Sequence, residues 1–240
     1  MIALVMFVVA LFLLLLGVPV AFAFGGVAMM FAFIIPDLGF EVFNILSFRI
    51  YGIMNNTTLM AVPLFIMMGL LLEKSGMAER LLISMSRLFK GVRGGLGVSV
   101  VIVGAILAAS TGIVSASVVM MSVIALPLMI NAGYDKSLAS GTVAASGTLG
   151  QIIPPSIILI VLGDVISVSV GDLFVGAVLP GLTLVSLYIS YILIRAYLNK
   201  EDAPAIVSDE KINIYEVISA IIPPLLLMVS VLGSIFAGIA

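Results

Sequence analysis

Apolar residues run almost unbroken along the chain, and a few short polar clusters divide it into stretches of near-membrane length. Residues 1–35 would make a helix of about 52 Å at about 1.5 Å per residue, against a hydrocarbon core of about 30 Å. Gly17 and Pro19 offer a break, giving two short helices or one kinked one. Between 37 and 56 the apolar positions Phe40, Phe43, Leu46 and Ile50 recur at steps of three and four, among Asp37, Glu41, Arg49, Asn55 and Asn56. That pattern predicts an amphipathic helix at the membrane interface. A span over 57–72 follows, with Pro63 near its first turn. In 73–93, Met77, Ala78, Leu81, Leu82, Met85, Leu88, Phe89 and Val92 form one stripe, predicting a surface helix.

From Gly94 to Tyr134 there are 41 residues without a charge, with AASTGIVSAS (108–117) at their centre. This fits a re-entrant helical hairpin with a polar tip, or two full spans joined by an external turn. The tip carries no Lys, Asp or Glu to mark a solvated loop, which favours the hairpin. Next comes ASGTVAASGTLGQIIPPSIILIVL (139–162). Pro154 has no N–H for the carbonyl of Gly150, and Pro155 none for that of Gln151. A helix entering from Ala139 should stop near Gly150, and a second should begin near Pro155. At membrane depth, such a break is tolerated only where protein buries it or it lines a polar cavity. Ten of the twelve residues 139–150 are Gly, Ala, Ser or Thr, which close helix packing alone would also explain. Asp164 is expected just after the second half-helix. A span over 173–194, a polar linker over 195–211 and a further span from 213 complete the chain, the last with a proline kink in IIPP (221–224). The chain stops within apolar sequence and looks incomplete.

Composition narrows the class. The chain of 240 residues is 63% hydrophobic and 9% charged, with a mean hydropathy of +1.39, where ordinary globular domains carry about 25% charged residues. It reads as an all-α polytopic membrane protein. The apolar run at the N-terminus is longer than a signal peptide's core and has no basic residue before it. A net charge of −2 offers no basic face to nucleic acid. With no Cys and no His, thiolate and imidazole chemistry and the usual zinc ligands are absent. Lys74, Arg80, Arg87, Lys90 and Arg93 hold five of the ten positive charges, which makes loop 73–93 cytoplasmic by the positive-inside rule.

Enzymatic constellations are lacking: the tip serines have no base beside them and no GxSxG turn occurs. Ion binding needs less. A helix ending near Gly150 presents freed carbonyls and its negative dipole end, which suit a desolvated cation such as sodium. A helix beginning near Pro155, and the hairpin arm beginning after Gly112, present N–H groups that suit an anion. Hydroxyls of Ser110, Thr111, Ser146, Thr148 and Ser156 are further candidate ligands. The candidate substrate-contacting set is Gly112, Ser115, Ser117, Thr148 and Ser156. Half-helices serving both purposes are the mark of secondary transporters, and the lack of a buried carboxylate relay favours sodium over protons. No cofactor is expected besides the coupling ion.

The segments GVPVAFAFG (17–25), MAVPLFIMMGLLLEKSGMAERL (60–81), RGGLG (93–97), STGIVSASVV (110–119), NAGYDKSLASGTVAASGTLGQIIPPSI (131–157) and LFVGAVLPGL (173–182) run in order across nearly the whole chain. Together they resemble the large membrane subunit of TRAP transporters, which are tripartite, binding-protein-dependent secondary transporters of organic acids. The tip departs from the family's common pattern near GISGSAVAD, because TGIVSASVVMM has no acidic residue. The resemblance implies an elevator-type (ion-transporter-like) inverted-repeat fold, of which this chain holds the first repeat. It implies sodium coupling, a small membrane subunit, a periplasmic substrate-binding protein and a bacterial or archaeal inner (cytoplasmic) membrane. Carried over by motif, the first sodium site falls on Ser110 or Thr111 and on Gly150, Ile153 and Pro155, mostly through backbone carbonyls. The expected organisation is scaffold over 1–93, a transport-module half over 94–172 (hairpin 94–134, broken helix 137–165), and a scaffold span, linker and next span over 173–240. Two other readings stay open: a di- or tricarboxylate elevator carrier working without a binding protein, and a channel or structural membrane subunit in which the break is only a kink.

Overall fold

A computed structural model describes residues 2–34, 41–112, 114–205 and 214–237, and these are helical with no strand among them. The chain forms two compact units, 1–56 and 57–240. The first holds α1 (Ile2–Leu15), α2 (Val20–Ile34) and α3 (Glu41–Met54). The break expected at Gly17 is present. Gly17 takes φ +83°, its N–H donates to the Leu14 carbonyl (3.0 Å), and that of Val18 donates to Leu13 (3.1 Å). This is the Schellman closure of α1, and Pro19 then starts α2 with a φ already suited to it. α1 and α2 pack together, with Ala10, Ala23, Val27 and Ala32 buried. On α3, Leu46 and Ile50 are exposed; Asp37 and Phe40 lie outside the described residues, as does the side chain of Phe43.

The second unit contains α4 (Thr57–Lys74), α5 (Met77–Leu88), α6 (Gly95–Thr111), α7 (Val114–Asn131), α8 (Lys136–Thr148), α9 (Ile157–Ile166), α10 (Val170–Leu198) and α11 (Ile214–Phe236). α6 is its hub, packing against α4, α5, α7, α8, α10 and α11. Its Val100, Val103 and Leu107 join Met121, Ala125 and Met129 of α7 and Leu138, Ala139 and Val143 of α8 in one core. The amphipathic reading of 73–93 holds in α5, where Ala78, Leu81, Leu82 and Met85 are buried. Leu88 and Val92, assigned to the same stripe, are exposed. An ion pair from Arg87 Nη1 to Glu216 Oε2 (3.1 Å) ties α5 to α11.

Several boundaries differ from expectation. Pro63 lies inside α4, in its second turn rather than its first. Asp164 falls within the last turns of α9, not after it. α10 runs for 29 residues, about 43 Å, and so exceeds the 173–194 span at both ends. In α11, by contrast, the IIPP copy stays inside one helix, in keeping with the single span expected there. α7, α10 and α11 are each long and apolar enough to cross a membrane, while α1, α2, α9 and residues 95–107 of α6 are apolar but shorter. Leu179, Leu182 and Val229 are exposed on α10 and α11. Apolar helix faces of this kind suit lipid, whose core forces backbone polar groups to be satisfied within the helix.

Candidate functional site

The site is built where the tip of one hairpin meets the break in another helix. α6 and α7 are the arms of the hairpin. α6 gives way at Gly112, which takes φ +61°, a left-handed conformation costly for any residue with a Cβ. α8 lies along both arms. A Cβ on Gly104 of α6 would come within 2.5 Å of the Ser146 Cβ, and one on Gly147 of α8 within 2.9 Å of the Val118 Cα of α7. Glycine at these positions lets the backbones meet, as small residues do between membrane helices.

α8 ends at Thr148, and residues 149–151 form one turn of 3-10 helix. The N–H groups of Ile152 (3.0 Å) and Ile153 (2.9 Å) both donate to the Leu149 carbonyl. Neither reaches Gly150, and Pro154 has no N–H to offer, so the Gly150 carbonyl loses its helical donor. The Pro154–Pro155 peptide is cis. Ser156 is extended (φ −120°) and stands at the N-cap of α9, yet its side chain makes no cap bond. Its hydroxyl instead donates to the Gln151 carbonyl at 2.8 Å. The first-turn N–H groups of α9 are therefore without a side-chain cap.

The hairpin tip closes on this point. A Cβ on Gly112 would lie 3.2 Å from Ile157 Cγ1 and 3.6 Å from the Ile157 nitrogen. Gly112 thus sits over the positive end of α9.

The candidate residues divide by placement. Gly150, Pro155 and Ser156 are buried at the break and Ile153 is half-buried. Ser110 is buried on the last turn of α6, and its hydroxyl donates to the Leu107 carbonyl at 2.8 Å. The proton is used, but the oxygen keeps lone pairs for a cation. The side chain of Thr111 lies outside the described residues. Ser117 and Ser146 are buried, whereas Ser115 and Thr148 are exposed. The hydroxyls of Ser146 and Thr148 donate to Val143 (2.9 Å) and Ala145 (2.8 Å) on their own helix. The polar atoms that the candidate residues offer are carbonyl and hydroxyl oxygens. Such a set fits a hard monovalent cation. Among the described residues no group of three or more His, Cys, Asp or Glu could hold a metal ion.

Three contributors were not singled out from the sequence. Gly181 of α10 seats the break, since a Cβ there would lie 3.0 Å from Ile153 Cγ1; the Pro180–Gly181 pair within an apolar helix was the available signal. Tyr134, just past α7, is buried, and its hydroxyl accepts from the Gly97 N–H at 3.4 Å. Burial pushes the phenol above its ordinary value, more than the contacts with the Gly97 and Leu96 backbone lower it. The turn after α10 reaches both ends of the hairpin, through Gly94 N–H to the Ala203 carbonyl and Asp135 N–H to the Asp202 carbonyl, each 3.0 Å.

Residues 7–240 match the family model described as "Tripartite ATP-independent periplasmic transporter, DctM component". The chain is 31% identical over 235 residues to the C4-dicarboxylate TRAP transporter large permease protein DctM of Vibrio cholerae, covering 98% of this chain and 51% of that protein. It is 33% identical over 196 residues to the protein of the same name from Pseudomonas aeruginosa, covering 80% and 45%. It is 31% identical over 170 residues to the sialic acid TRAP transporter large permease protein SiaM of Vibrio cholerae, covering 71% and 39%. These relatives are transport permeases, not enzymes, by their names, and the chain spans about half the length of the curated relatives it matches. With a match over nearly its whole length, and with apolar helices long enough to span a bilayer, this chain belongs to the DctM family of TRAP transporter large permeases and is a multi-pass membrane protein.

Proposed function

We propose that this chain is the half of a large permease that carries the first hairpin and first broken helix, and that the whole permease imports a small organic anion coupled to sodium. The observation that carries this is Gly112 at the tip lying over the N-terminus of α9, the half-helix that follows the break after α8. In this reading the freed carbonyls at the end of α8 hold a cation while the N–H groups at the start of α9 hold an anion. Ser110 or Thr111 and the carbonyls of Gly150, Ile153 and Pro155 hold the sodium. Gly112, Ser117 and Ser156 face the anion, with Ser115 and Thr148 at the exposed edge. The relatives are named for C4-dicarboxylates, sialic acid and isethionate, which supports an organic acid as cargo.

In this reading the permease works by an elevator movement in a bacterial or archaeal inner membrane, with a small membrane subunit and a periplasmic binding protein. Loop 73–93 faces the cytoplasm. The segment 94–172 is half of the moving module, and 1–93 belongs to the scaffold with α3 at the interface. The test is uptake into proteoliposomes containing the full-length permease and its small subunit, with candidate binding proteins outside. Uptake should need one binding protein and should collapse when potassium replaces sodium. Uptake without any binding protein would favour an independent carrier; sodium-independent uptake would remove the coupling ion.

A further inference from the structure

The polar stretch after α10 reads in the sequence as a linker, but its first residues are fastened to the hairpin. The hairpin joins the rest of the chain at two places, just before α6 and just after α7. At the first, Gly94 N–H donates to the Ala203 carbonyl, and at the second, Asp135 N–H donates to the Asp202 carbonyl, both at 3.0 Å. Two consecutive carbonyls of one short turn therefore hold both feet of the hairpin. The contact is close-packed as well. Ala203 is fully buried. A Cβ on Gly94 would lie 3.0 Å from the Ala196 Cβ of α10, and one on Gly133 would lie 3.5 Å from Pro204 Cγ.

The turn owes its shape to one carboxylate. Asp202 Oδ2 accepts from Arg195 Nη2 at 2.8 Å and from Asn199 Nδ2 at 3.1 Å, and its own N–H donates to the Asn199 carbonyl at 3.2 Å. Arg195 Nε is buried without a hydrogen-bond partner among the described residues, while the side chain as a whole is 40% exposed, so its Nη2 bond to Asp202 is a partly screened ion pair. Backbone bonds also close the turn, from the Asn199 N–H to the Arg195 carbonyl (2.8 Å) and from the Asp202 N–H to the Asn199 carbonyl, but the Asp202 carboxylate makes its side-chain link to Arg195 and Asn199, and without it the 202 and 203 carbonyls are held less firmly.

We infer that Asp202, held by Arg195 and Asn199, is a positioning residue: it clasps both feet of the hairpin to the end of α10 and thereby sets where the tip at Gly112 meets the break. α6 is a rigid lever about 25 Å long at about 1.5 Å per residue, so a small shift at Gly94 is carried to Ser110 and Gly112. Under this inference the end of α10 travels with the hairpin, although the expected partition placed 173–240 with the scaffold. The part of the inference that concerns transport rests on the function proposed above, while the clasp itself does not.

The test uses the full-length permease with Asp202→Ala, and Asp202→Asn as the isosteric variant in case the alanine protein folds poorly. Hydrogen exchange is followed at the amides of Gly94 and Asp135, with core amides of α6 such as Val103 as internal reference. Exchange at both feet should rise by about fivefold, as expected for loss of a partly buried ion pair worth about 1 kcal/mol. The sodium concentration for half-maximal uptake should rise by a similar factor while maximal uptake is retained. A merely structural role would instead lower maximal uptake at unchanged half-saturation, and that result overturns the inference. Exchange at Gly94 and Asp135 that matches the wild type in both variants also overturns it. Faster exchange at both feet in a permease whose wild-type uptake ignores sodium would uphold the clasp and count against sodium coupling alone.

Discussion

Single residues act in this protein mainly by what they leave out. Gly104 and Gly147 omit the Cβ that would collide with Ser146 and Val118, and so let α8 lie against both hairpin arms. Gly112 omits the Cβ that would strain a φ of +61° and press on Ile157. Tyr134 is the converse case, a large side chain committed to one place. Its ring is buried and its hydroxyl oxygen accepts from Gly97, and burial raises its pKa above the ordinary 10.0. The folded state therefore keeps a proton that the unfolded state releases as pH rises past the ordinary value. By linkage, the stability Tyr134 contributes is fully present below that value and is lost as pH climbs through the raised one. Tyr134→Phe should flatten this alkaline loss while weakening the start of α6 by about 1 kcal/mol at neutral pH. Thermal unfolding in detergent between neutral and strongly alkaline pH checks both, and identical alkaline profiles would remove Tyr134 as the cause.

At the scale of elements, two copies of IIPP behave differently. Pro154 and Pro155 end a helix, whereas Pro223 and Pro224 sit inside α11. The proline ring removes the same donors in both, so the outcome is set by the surroundings. Around the first copy, Leu149 takes both Ile152 and Ile153 N–H groups, Ser156 satisfies Gln151, and Gly181 makes room for Ile153. Beside the second copy, Ser219 spends its hydroxyl on the Glu216 carbonyl (2.9 Å), and no Gly or Ser follows until Ser230 and Gly233. The Gln151 carbonyl already accepts one hydrogen bond, so the Gly150 carbonyl is the more available ligand for a cation. Pro154→Ala would return an N–H to it. Half-saturation by sodium should then rise about tenfold, equal to losing one charge-assisted contact of about 1.5 kcal/mol. Sodium titration of uptake reads this directly, and an unshifted midpoint would mean that the Gly150 carbonyl does not touch the ion.

For the whole molecule, the governing fact is a core built from helices that are apolar on their outer faces too. Leu182 lies near the middle of α10 and is 58% exposed. If that face meets lipid, Leu182→Arg should cost about 2.5–3.5 kcal/mol for membrane insertion. The fraction of protein recovered in the membrane, and its melting temperature in nanodiscs, should both fall. Recovery and melting equal to the wild type would place Leu182 against a polar or aqueous surface instead.

The residues themselves determined a good deal of this. Period and composition alone specified membrane helices, because uncharged runs of this length have few other stable homes. Gly17 with Pro19, and Pro154 with Pro155, marked breaks, because backbone geometry is a local property of those residues. Charge placement marked the amphipathic α5. The tertiary structure decided what local rules do not carry: that Gly112 lies over the end of α9, that Thr148 and Ser115 stay exposed while Ser110 and Ser156 are buried, and that a stretch read as a linker holds the feet of the hairpin. Each of these depends on which distant segment comes to lie alongside. A proline removes a hydrogen bond wherever it stands, but whether a helix breaks there depends on what neighbouring segments offer the freed groups in exchange.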